Sequence, residues 1–202
     1  SKNLGYMQNH VAAGFVLTCV GDERTYSYVE SPYADNLSDR VARNVLSFHY
    51  PDYKRYSFME RGSDERQYCS PLVNLPMCTI CRSKYHEYPE YHTSADDLTL
   101  VTPEGLQGAF DVYRKCIDMV ELNRYYKAAI PCEPQLGKRG LYPTISRKGI
   151  YDDFRPLQHF LAYVDGKHDL IDISNRIGVD IDALKRIVKI CFENELITVE
   201  DV

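Results

Sequence analysis

The stretch that most limits what this chain can fold into is Phe15-Val-Leu-Thr-Cys-Val20, set between Gly14 and the pair Gly21-Asp22. It is apolar without the alternation of a half-wet strand, so it reads as a strand buried on both faces. Leu75–Cys81 repeats the pattern. Between them, Leu37, Val41, Val45 and Phe48 form one stripe of a helix over 36–48. Arg55 to Met59 reads as a short strand, followed at once by a turn at Gly62-Ser63-Asp64. Thr102 before Pro103 marks the start of a long helix. Its Leu106, Phe110, Tyr113, Ile117 and Val120 recur at steps of four and three and are expected to lie against the sheet, with the helix ending near Tyr125. Strand, helix, strand, strand, long helix is the order of part of an α/β layer structure.

The character changes after Pro131. Residues 131–152 are rich in Pro, Gly and basic residues and read as a linker. Beyond it the pattern is helical. Phe154, Leu157, Phe160, Leu161 and Val164 form a first helix. Asp169 caps a second, with Leu170, Ile173 and Ile177, and Gly178-Val179 is a tight turn. Asp180 caps a third, with Leu184, Ile187, Val188 and Cys191, and Leu196–Val199 can add a short strand. This is a helix-turn-helix with a vestigial wing. The expected domains are therefore 1–130 (α/β), 131–152 (linker) and 153–202 (winged helix-turn-helix).

Charge limits the partners. The 202 residues carry a net charge of −5, so the chain is no generic nucleic-acid binder. From Asp153 onward six Lys and Arg face ten Asp and Glu. Such a module is repelled by phosphates, and a packing or dimerisation role is expected for it. No apolar run reaches membrane-spanning length and no signal-peptide pattern opens the chain. Seven cysteines, odd in number and irregularly spaced, fit reduced thiols in a cytoplasm better than a disulfide framework. The chain opens on Ser1 and runs at once into a core strand, which suggests the later part of a longer protein. Removal of an initiator Met is the plain alternative.

Three groups of residues invite chemistry. His92, in Tyr91-His92-Thr93 followed by Asp96-Asp97, is a candidate metal ligand at a strand end, with Thr93 and Asp96 pinning the turn behind it. Taken alone, such a histidine reads more often as a surface residue. Asp64, Glu65 and Arg66 follow a turn and can wall a substrate pocket, or simply pair among themselves. Cys78 and Cys81 match CxxC, but no second ligand pair accompanies them and residues three apart on a strand face opposite ways. The Tyr- and Pro-rich stretch Lys84–Tyr91 is expected to stay outside the core.

GSDERQYCSP at 62–71, EYPEYHTSADDL at 87–98 and CEPQLGKRGLYPT at 132–144 resemble the bacterial zinc-aminopeptidase-like family, which carries a protease-associated-type insert and a C-terminal winged helix. The resemblance runs over nearly the whole chain. It implies an α/β fold, a partial three-layer zinc-exopeptidase-like sheet, followed by a small winged helix-turn-helix domain. It also implies a zinc site of one ion or two. His92 is then a zinc ligand, and Asp22 is the acid nearest the carboxylate ligand expected after the first strand. Asp64, Glu65, Arg66 and Tyr91 line the substrate site, with Glu65 where the wider clan has His. The family's early His and Asp ligands and its catalytic Glu have no recognisable counterpart here. A catalytic zinc normally needs three protein ligands, so the site is incomplete and the chain alone is expected to be inactive.

The expectation is the C-terminal portion of a zinc-dependent aminopeptidase-like hydrolase, cleaving a peptide or other amide by metal-activated water. Its partners are the missing N-terminal half and a peptide or amide small molecule, without membrane or nucleic acid, and self-association stays open. The rivals are a winged-helix regulatory or nucleic-acid-binding protein and a catalytically inactive interaction scaffold.

Overall fold

The computed structural model describes residues 2–141 and 150–199, without the side chains of 150–153. It divides into two compact units, Ser1–Val120 and Glu121–Val202.

The first unit contains α1 (Leu4–His10), β1 (Gly14–Leu17), β2 (Ser27–Val29), α2 (Leu37–His49), β3 (Lys54–Tyr56), α3 (Glu65–Tyr68), β4 (Met77–Cys81) and most of α4 (Pro103–Leu122). The sheet order is β1-β4-β2-β3. β1 runs parallel to β4, and β2 is antiparallel to β4 and parallel to β3. β2 was not foreseen: Ser27-Tyr28-Val29 is short, and its flanks carry charge.

Side chains on the two faces of this sheet meet different elements. On one face Tyr28 donates to Asp39 of α2, and the Tyr113 hydroxyl of α4 donates to the carbonyls of Val16 (3.0 Å) and Ile80. On the other, Thr79 donates to Glu65 of α3. α2 is capped by Asn36, whose side chain accepts from the Asp39 N–H, and it buries Val41, Val45 and Leu46 completely. Each such burial contributes on the order of 1.5–3 kcal/mol.

Two expectations change. β1 is not covered on both faces: only Val16 is buried, and Leu17 is 64% exposed, because β1 lies at a sheet edge. Of the α4 stripe expected to lie against the sheet, Tyr113 does so but three other large residues do not. Leu106, Phe110 and Ile117 are 46%, 62% and 56% exposed, while Gly105, Ala109, Val112, Tyr113, Cys116 and Met119 are buried. Both stripes have helical spacing, so periodicity could not choose between them. Closeness of approach chose: a Cβ at residue 105 would stand 1.9 Å from the Gly21 carbonyl oxygen, so only glycine lets the helix seat there. The N-terminal end matched expectation, with Thr102 Oγ1 accepting from the Gly105 N–H.

The second unit contains β5 (Tyr125–Ala128), α5 (Ile150–Tyr163), β6 (Asp165–Asp169), α6 (Leu170–Ile177), α7 (Ile181–Glu193) and β7 (Ile197–Val199). Its sheet order is β6-β5-β7, antiparallel throughout. β5 therefore belongs with the winged helix, although its sequence position had placed it in the α/β domain. Of the stretch expected as linker, 131–152, Leu136–Arg139 forms a short 3₁₀ turn with Leu136 buried, and 142–149 lies outside the described residues. Asp169 and Asp180 cap α6 and α7 by accepting from the Asp172 and Ala183 N–H groups. Gly178 between them takes the left-handed conformation, φ 68°.

Candidate functional site

In α/β sheets, sites form beyond the carboxyl ends of parallel strands. Here the segments leaving β1 and β4 are bound to each other. The Arg82 N–H donates to the Cys19 carbonyl at 2.8 Å. Asp22 accepts from both the backbone N–H and the hydroxyl of Ser83, each at 2.8 Å, and from the Arg24 N–H at 2.9 Å. Arg24 grips Glu90 with two nitrogens, at 2.9 and 2.7 Å. That fork holds the Glu90 carboxyl down at about 2. The Tyr88 hydroxyl donates to Cys19 Sγ at 3.5 Å. Burial, then that bond, pushes the Tyr88 phenol above its ordinary value.

Three non-glycine residues in these segments hold positive φ: Cys19 (48°), His86 (66°) and His92 (58°). Left-handed backbone at side-chain-bearing residues costs free energy and clusters where surrounding contacts over-determine the chain. His92 is exposed, its ring stacked on Tyr91 at 4.0 Å. The Tyr91 ring also meets His86 (4.8 Å) and Tyr88 (5.6 Å) edge-on. Behind His92, the Thr93 hydroxyl donates to the Glu90 carbonyl, and the Asp96 N–H to the Thr93 carbonyl.

The other candidate residues fare differently. Asp22 is buried and already accepts three hydrogen bonds, so it fits a tie between two loops and not an open metal site. Among the described residues, neither Asp22 nor His92 belongs to a group of three converging metal-ligand atoms. Glu65 is fully buried. One of its oxygens accepts from Gly62 N–H (2.7 Å), Ser63 N–H (2.9 Å) and the Tyr85 hydroxyl (2.8 Å), and the other from Thr79 (3.0 Å). Burial alone would raise its carboxyl; these bonds outweigh it and hold the group below the ordinary value. Glu65 thus locks the turn from within, while Asp64 and Arg66 point to solvent. Cys78 and Cys81 are both buried free thiols, and burial pushes both up.

Sequence reasoning missed the residues just after β4. Tyr85, expected outside the core, is 1% exposed and donates its hydroxyl to Glu65. Lys84 is buried with its ammonium over the Tyr56 and Tyr85 rings, at 5.0 and 4.6 Å. Arg82 is buried with its guanidinium over the Tyr26 ring at 3.8 Å, and its Nε has no hydrogen-bond partner. Gly62 seats against that ring: a Cβ there would lie 2.6 Å from Tyr85.

The first unit is thus an α/β sheet with interlocked strand-end loops, and the second is a winged helix-turn-helix. Residues 1–123 match the family described as a domain of unknown function (DUF4910), and residues 124–199 match winged helix-turn-helix. The chain belongs to the DUF4910 family. A Clostridium acetobutylicum protein is 36% identical over 200 residues, 98% of this chain and 45% of its own length. It bears the provisional name of a polysaccharide biosynthesis protein with an aminopeptidase-like domain. A crystal structure provisionally named a peptidase, also from Clostridium acetobutylicum, superposes with TM-score 0.85 at 32% identity, covering 98% of this chain and 44% of that one. The chain thus spans less than half the length of these relatives. An aminopeptidase from Aneurinibacillus sp. strain AM-1, at TM-score 0.47 and 14% identity over 58% of this chain and 29% of the other, is too distant to bear on function.

Proposed function

We propose that this chain forms the C-terminal portion of an aminopeptidase-like metallohydrolase acting on a peptide or related amide. The observation that carries the reading is His92: an exposed imidazole on strained backbone, in a segment clamped to the end of β1 by Asp22–Ser83 and Arg24–Glu90. The aminopeptidase-like name of the Clostridium relative supports it.

His92 fits one ligand of a zinc site; the described residues do not complete one. When bound, zinc would supply a polarised water and a Lewis acid for the amide carbonyl. What this chain contributes is position. The Tyr91 ring stacks on the imidazole and restricts its rotation. Asp64, Arg66 and Tyr91 are the proposed substrate contacts, with Glu65 holding their turn from inside. No described helix is long and apolar enough to cross a membrane. The seven free thiols suit a cytoplasmic setting.

The test is zinc content by atomic absorption, with hydrolysis of aminoacyl p-nitroanilides, on the natural-length polypeptide and its His92→Ala variant. Loss of zinc and of activity in the variant is expected. Zinc retained in full by the variant refutes the ligand assignment. Zinc bound but no hydrolysis of any amide favours the inactive scaffold.

A further inference from the structure

The two edges of the first unit's sheet are unlike. β3 is finished as a solvent edge: Lys54 and Arg55 are exposed, and Arg55 pairs with Glu30. β1, Gly-Phe-Val-Leu, carries no charge and leaves Leu17 in water. An uncharged apolar edge, parallel to its one neighbour, normally lies inside a sheet.

α4 tells the same story from above. Tyr113 lies over β1, its ring 6.4 Å from Phe15 and its hydroxyl on Val16 O. Cys116, one turn on, is fully buried. At ~100° per residue, Cys116 sits on one side of Tyr113, and Leu106, Phe110 and Ile117 sit roughly 20–60° to the other. The flank holding Cys116 is buried and the flank on the other side of Tyr113 is exposed, which sets the exposed flank toward the open side of β1. The open edge and the helix above it thus both leave apolar side chains uncovered: Leu17 on the strand, and Leu106, Phe110 and Ile117 on the helix.

We propose that this edge and flank receive further α/β chain from a longer form of the same polypeptide, a strand adding beside β1 and apolar side chains covering Leu106, Phe110 and Ile117. The Clostridium relative has more than half its length outside the matched region, and a fold of TM-score 0.85 shares the matched part. The occupant is placed by edge and helix, whether or not His92 binds zinc, so the zinc test and this one fail separately.

The experiment compares the 202-residue chain with the polypeptide purified at its natural length, by amide hydrogen exchange over Gly14–Leu17 and by thermal unfolding of the double variant Leu106→Asp, Phe110→Asp. In the longer polypeptide, β1 amides should exchange at least tenfold more slowly than in the chain alone. The double variant should lower Tm there by more than about 5 °C and shift the chain alone by no more than about 2 °C. Equal exchange in both forms, or equal sensitivity to the double variant, overturns the proposal. So does a natural polypeptide no longer than this chain. A homodimer of the chain that protects β1 overturns it in favour of a second copy.

Discussion

The carboxylate of Asp22 and the residue Ser83 are joined twice, through the serine's backbone N–H and its hydroxyl, at 2.8 Å each. They lie 61 positions apart, at the carboxyl ends of two parallel strands. The bond therefore fixes where the loop carrying His92 begins.

Asp22→Ala should lower the unfolding free energy by about 3 kcal/mol, because it removes the buried acceptor of three hydrogen bonds and leaves the Ser83 and Arg24 donors unmet. Urea denaturation with an unchanged m value would check this. A loss under 1 kcal/mol would mean the tie is replaceable by water.

Glu65 makes a pH prediction. Its folded-state pKa is depressed, so its contribution is complete above the ordinary glutamate value of about 4.3 and is lost as pH falls through the lower folded value. Stability should be flat near neutrality and decline below about pH 4, with Glu65→Gln removing part of that decline. Glu65→Leu should cost about 3–5 kcal/mol at pH 7, since it leaves the donors of Gly62, Ser63, Thr79 and Tyr85 unmet.

Gly105→Ala should reverse the usual helix effect. Alanine ordinarily stabilises a helix interior by about 1 kcal/mol over glycine. At residue 105 the new methyl meets the Gly21 carbonyl, so a net loss of about 1–3 kcal/mol is expected. Gly5→Ala in α1, where nothing lies within 4 Å, is the control and should be neutral or slightly stabilising. Paired thermal melts decide it.

The winged helix should not shift duplex DNA in a gel at 50–150 mM salt, on the order of the range where phosphate contacts dominate affinity. Its residues from Asp153 onward are net acidic. A shift that weakens steeply with salt would instead show a basic surface that outweighs the net charge.

Sequence was sufficient wherever the physics is local. The caps at Thr102, Asp169 and Asp180 are short-range hydrogen bonds, and the left-handed Gly178 needs no distant partner. The α/β character and the helix-turn-helix followed from apolar patterning, caps and turn residues, all of them local. Tertiary structure decided what depends on partners far along the chain. β2 exists because β4 pairs with it, and β5 joined the winged helix because β6 and β7 flank it. The expected and the observed stripe on α4 share Tyr113 and helical spacing, and the close contact of Gly105 with Gly21 marks the side that faces the sheet. Glu65 and Asp22 looked like site acids in the sequence; burial and long-range donors made them ties. A side chain's type is local information, but whether its charge meets solvent or four hydrogen-bond donors is set only when distant segments close around it.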